Sequence, residues 1–276
     1  MKQLKPYPGL LQALLLLLLY FLTTAAINIP FVLAGILIDL PVQHPYIQAL
    51  VEVISFVLLL LWVSRYTKIP AKELLTVDRL HYLLVLPVIL LILGSNIIES
   101  EIDNIFRTFV PMSNVFVEYF NQLFDGSYGI MALITLTVIV APLVEEIIFR
   151  GIMLKGFLQR YSVRKAILMS ALIFGIAHMN PWQFISAFIW GIIAGWLYYR
   201  TRSLAPCILG HAFNNFMPFL AGIFLKVNIP GYTTSGYNVI EHQPMWFNLI
   251  GLILLASGFY LAMKIMKMHK HAIGTR

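Results

Sequence analysis

Six polar side chains stand in stretches that are otherwise apolar: Glu145, Glu146, Arg150, His178, His211 and Asn215. Their types cover what hydrolysis asks for. A carboxylate or an imidazole can take a proton from water, and imidazole or amide N–H groups can hold a developing oxyanion. Spacing sorts them. Glu146 and Arg150 are four residues apart and pair on one face of a helix. Glu145 points about 100° away from that face. One carboxylate is then neutralised while its neighbour stays available as a base. His211 and Asn215 are also four apart and share a face.

Each group has a blander reading. Glu146 and Arg150 can be an ion pair at a helix end, which leaves Glu145 without a role. A lone histidine at a helix end, such as His178, is more often interfacial. His211, Asn214 and Asn215 can be polar glue between helices, though three polar groups in five residues exceed what glue needs. Cys207 lies four residues before His211. A thiol dyad needs an oriented, activated thiolate, and no orienting group accompanies this one.

The elements that carry these residues follow from composition. Of 276 residues, 60% are hydrophobic and 11% charged, where a soluble domain has about 25% charged. A bilayer accommodates such a chain if it supplies runs of roughly 20 apolar residues. Eight runs are expected, near 10–38, 47–62, 83–97, 128–149, 166–178, 182–199, 204–225 and 245–266. They are apolar on all sides, so helices rather than barrel strands satisfy their backbone. The fold class expected is all-α, a polytopic transmembrane bundle of about eight spans. Lys2 and Lys5 before a leucine run imitate a signal peptide, but the apolar stretch continues to Ile38 and reads as a retained span.

Charge sets the orientation. With eight alternating spans, all but two of the 19 Lys and Arg fall on the side of the N-terminus; the exceptions are Arg107 and Lys226. The positive-inside rule then places both termini in the cytoplasm, and the net charge of +7 needs no nucleic acid to explain it. The region 99–127 is the longest external segment, read as a solvated loop or an amphipathic helix. Depth is a further constraint. His178 and His211 lie about 20 and 14 Å above the inner boundary at 1.5 Å per residue. Glu145 joins them only if the fourth helix runs on past Arg150 or water enters the bundle.

The ordered set Glu145-Glu146-x-x-x-Arg150, Phe174-x-x-x-His178 and His211-x-x-x-Asn215 resembles the CPBP (Abi) family, which includes type II CAAX prenyl endopeptidases and bacteriocin-processing and immunity proteins. The likeness covers about residues 138–218. It implies an intramembrane endopeptidase in which Glu145 and His178 activate water, His211 and Asn215 support the site and the oxyanion, and Glu146 and Arg150 shape and neutralise it. A divalent metal such as zinc is the alternative, with Glu145, His178 and His211 as ligands; asparagine is a poor zinc ligand, which favours catalysis without one. Residues 1–126 would be membrane helices and an external loop, 127–218 the catalytic core, and 219–276 an external loop, a last helix and a basic tail. The expected partners are the bilayer and a peptide or membrane-protein substrate, in a bacterial plasma membrane. A non-proteolytic scaffold or immunity protein and an ion-coupled transporter are the competing functions; absent internal repeats weigh against the transporter.

Overall fold

The computed structural model describes residues 7–75, 82–124, 128–233 and 240–273. Among them every regular element is helical. We number the helices α1 (Leu10–Ile38), α2 (Pro45–Thr67), α3 (Ala71–Leu74), α4 (Tyr82–Phe109), α5 (Asn114–Phe124), α6 (Ile130–Phe157), α7 (Val163–Ala177), α8 (Pro181–Thr201), α9 (Ala205–Phe224) and α10 (Met245–Ile273). Each of the eight expected apolar runs is a helix. Six of them (α1, α2, α4, α6, α9 and α10) are long and apolar enough to cross a membrane by length and composition.

Helix ends sort into two sets that touch only within their set. At one end, the Tyr7 ring packs at a tilt against Tyr66, Lys155 donates to the Glu73 carbonyl and Gly9 lies against Arg160. At the other, His44 meets Tyr128 and the Trp182 indole donates to the Val110 carbonyl at 2.8 Å. The turn between α7 and α8 thus reaches the end opposite Arg160, so this pair runs the height of the bundle although α7 has only 15 residues. The first helix starts, and the last finishes, at the Arg160 end.

Small residues set the helix spacing. A Cβ on Gly191 would sit 2.8 Å from Ala171, and one on Gly195 would sit 3.0 Å from Ile167. This Gly-x-x-x-Gly stripe lets α7 and α8 approach backbone to backbone, where no hydrophobic force drives helices together in lipid. Gly94, Gly251 and Gly258 do the same for antiparallel α4 and α10: a Cβ on Gly94 would meet the Leu255 nitrogen at 2.3 Å.

One expectation changes and one of two alternatives is met. The third span is longer than the run 83–97, because α4 continues to Phe109. Its polar end, expected as a solvated loop or an amphipathic surface helix, continues the span, and its groups find partners along and beside the helix. Ser95 donates to the Glu99 carboxylate, Arg107 pairs with Asp103 at 2.8 Å, and Glu101 accepts from the Gln243 backbone and the His242 ring. Among the described residues of 99–127, α5, after Ser113, forms a separate helix. The fourth helix, for its part, runs past Arg150 to Phe157, which is what brings Glu145 into the depth of the histidines.

Met179 is 74% exposed at the α7–α8 turn. If α7 and α8 cross the membrane, Met179→Cys should react with an impermeant maleimide added outside intact cells, as Ser113→Cys should, while Ser162→Cys should react only after permeabilisation. Labelling of Met179→Cys only after permeabilisation would make the pair a hairpin entering from the cytoplasmic side.

Candidate active site

Helix α6 carries the two glutamates between two stretches of wide π turns, Thr135–Val140 and Ile147–Leu154. Such turns leave backbone carbonyls short of donors and often mark functional sites. The first has an identifiable cause. The Ala141 N–H bonds back to the Leu136 carbonyl, and Pro142 has no N–H to offer. The Thr137 carbonyl is thereby left without a helical donor, and Asn215 of α9 supplies one, Nδ2 to O at 2.8 Å. At the second, Ser170 of α7 donates to the Phe149 carbonyl at 3.1 Å. Neighbouring helices complete the ladder that α6 leaves open.

At the centre lies the Glu146 carboxylate, fully buried. Its Oε1 accepts three N–H groups: Arg150 Nη1 at 2.9 Å, Trp190 Nε1 at 3.0 Å and His211 Nδ1 at 2.8 Å. Arg150 is also fully buried, and its guanidinium lies 4.5 Å over the Phe174 ring. An isolated charge here would cost several kcal/mol; the ion pair and the ring face together offset that cost. Glycine makes the fit. A Cβ on Gly210 would stand 2.6 Å from the Trp190 ring, so the residue before His211 must be bare for Trp190 to reach Glu146.

Glu145 lies on the other side of His211. Its Oε2 is 3.9 Å from His211 Nε2, too far for a direct hydrogen bond, and that oxygen is buried without a hydrogen-bond partner. The imidazole is thus held at Nδ1 by one glutamate and faces the other with Nε2. Because Nδ1 donates to Glu146, the neutral ring carries its lone pair on Nε2.

Of the six expected residues, Glu145, Glu146, Arg150 and His211 form one contact group. His178 joins through a shared neighbour. Its Nδ1 lies 2.9 Å from the Phe174 carbonyl, and its ring meets Phe174 edge-on at 4.9 Å, as His211 does at 5.8 Å. Asn215 sits further along α6, at Thr137. Among the described residues no three His, Cys, Asp or Glu side chains stand as a metal-binding set, so Glu145, His178 and His211 are not placed as common ligands here. The Cys207 thiol points to the Ala194 carbonyl at 3.3 Å and not to His211.

Sequence reading passed over two participants. Trp190 is one; a buried indole N–H requires an acceptor, and that rule would have flagged it. Glu52 is the other, the sole acidic residue in the apolar run of α2. The default that an ionisable residue inside a span marks function applies to it as much as to Glu145.

These observations define a polytopic helical membrane protein with a carboxylate–imidazole site buried in its bundle. Residues 127–217 match the Rce1-like family, type II CAAX prenyl endopeptidase Rce1-like, which bears out the resemblance read from the three motifs over about a third of the chain. This is a family of membrane proteases. No curated protein and no solved structure matches the chain.

Trp190→Phe keeps the ring and deletes the donor to Glu146. Hydrogen bonds to charged groups contribute about 1.5–3 kcal/mol, so this variant should unfold earlier on heating in detergent. Trp196→Phe, whose ring stacks on Phe259, should cost less. Equal melting of both variants would remove Trp190 from the site.

Proposed function

We propose that this protein is an intramembrane endopeptidase that hydrolyses a peptide bond by carboxylate-activated water. The observation that carries the reading is the gap between Glu145 Oε2 and His211 Nε2, 3.9 Å across and bounded by two groups with unused acceptor capacity. A water placed there donates one hydrogen to each. Glu145 takes a proton as the water oxygen attacks the carbonyl carbon, then returns it to the leaving nitrogen as the C–N bond breaks. His211 aims the water, and Glu146 fixes the tautomer and rotation of His211. The His178 ring and the second amide hydrogen of Asn215 are the groups left to face the oxyanion. The expected division of labour thus shifts: His211, not His178, is the partner of Glu145, because it is the imidazole that faces that carboxylate. The substrate is a peptide or membrane protein entering from the bilayer, and the setting is a cell membrane. No step uses a metal, and cleavage should survive exhaustive chelation.

The two adjacent glutamates should separate in experiment. Glu145→Gln keeps shape and loses basicity; it should abolish cleavage with near-normal abundance and melting. Glu146→Gln strands Arg150 as a buried cation and frees His211, at a cost of about 3–5 kcal/mol for a broken buried pair. That variant should lose abundance and thermal stability along with activity. Cleavage, abundance and melting are measured in parallel on membranes from both. If Glu145→Gln still cleaves while Glu146→Gln is folded and inactive, the roles are reversed. If both cleave, the site is not hydrolytic and a binding or scaffold role takes its place.

A further inference from the structure

A cavity of about 480 Å³ opens between α1, α2 and the start of α6. Its wall mixes polar side chains (Tyr20, Thr24, Gln43, Gln48 and Glu52) with apolar ones such as Leu136. It lies at the end of the bundle where α1 gives way to α2. Glu52 occupies its inner wall and is within electrostatic reach of Glu145, as is Tyr20. α2 packs along Thr135–Glu146 of α6, so the cavity adjoins the site already described.

The chemistry of that wall is one-sided. Among the described residues no lysine or arginine lines it, and Glu52 is largely buried with no hydrogen bond or ion pair from any of them. Arg150, the buried cation of the site, is committed to Glu146 and Phe174. Glu52 therefore lines this space without a counter-charge among the described residues, and the Glu145 carboxylate, on α6, repels it. Like charges repel more strongly where water is scarce. An occupant that brings a positive charge relieves both the repulsion and the desolvation.

We propose that this cavity is the substrate-binding cleft and that Glu52 is a specificity-determining residue. It pairs with a cationic group, a Lys or Arg side chain or a free α-amino group, on a peptide segment whose neighbouring bond lies at Glu145 and His211. The proposal rests on the endopeptidase reading for its cleavage arm and on binding alone for the rest.

The test uses the full chain in lipid nanodiscs and four fluorescent twelve-residue apolar peptides. Three are N-acetylated and differ at one central position, which is Lys, norleucine or Glu; the fourth has norleucine and a free N-terminus. Binding is read by anisotropy in the Glu145→Gln background with and without Glu52→Gln. Cleavage is read in wild type, Glu52→Gln and Glu52→Lys. The Lys peptide should bind at least about tenfold more tightly than norleucine when Glu52 is present, and lose that margin with Glu52→Gln, as expected for loss of a largely buried charge partner. KM for the Lys peptide should rise with kcat little changed, norleucine should report an intact fold, and Glu52→Lys should turn the preference towards Glu. The free N-terminus gaining the same margin assigns the site to an α-amino group, and the Lys peptide alone gaining it assigns a side chain. Equal binding of all four peptides, or an equal loss for all of them in Glu52→Gln, overturns the proposal. Charge-selective binding without cleavage by wild type leaves it standing and defeats the endopeptidase reading; cleavage blind to charge does the reverse.

Discussion

The bundle is organised around one buried carboxylate. Glu146 accepts from Arg150 on its own helix, Trp190 on α8 and His211 on α9, so three helices are joined at a single oxygen. In hydrocarbon an unpaired charge is costly enough that this junction specifies how the helices meet. A rotation or slip of any of the three would leave a charged or polar group unpaired. The glycines follow from it: Gly210 clears the path of Trp190, and Gly191 and Gly195 hold α8 close to α7 so that the indole is presented at the right depth.

The same junction separates rigidity from reactivity. Glu146 and Arg150 are immobilised in the centre, and Glu145, one residue earlier, is turned away and left without a bond on its inner oxygen. The imidazole of His211 stands between them. Its orientation is set on the structural side and its lone pair is offered on the other. Two neighbouring residues of the same type thus differ in surroundings through helix geometry alone.

Much of this was legible in the sequence, and the reasons are specific. The eight apolar runs gave the helices because hydropathy over a span is a strong signal, and the four-residue spacing of Glu146 and Arg150 gave their pairing. The continuation of α6 past Arg150 was recoverable from depth. Other features depended on tertiary contact. The wide turns of α6 arise from Pro142 together with donors from α7 and α9, so the bond from Asn215 to the Thr137 carbonyl has no signal in the sequence. The end of α4 reads in sequence as a surface loop or amphipathic helix because its acids are polar, yet each is satisfied along or beside the helix. Glu52 was visible but outweighed by the denser motifs downstream.

Helix α7 has a geometric consequence of its own. Leu168, Leu172 and Ile176 form an exposed stripe along it, so it lies at the perimeter of the bundle. Its 15 residues span only about 22 Å at 1.5 Å each, against a hydrocarbon thickness near 30 Å. If α7 crosses the membrane, the lipid beside it must thin, or its headgroups must dip, to match it. That dimple would sit where α7 ends, at His178. The membrane itself would there be brought down to the level of the site, giving water and polar backbone a shorter path through hydrocarbon than anywhere beside the longer helices.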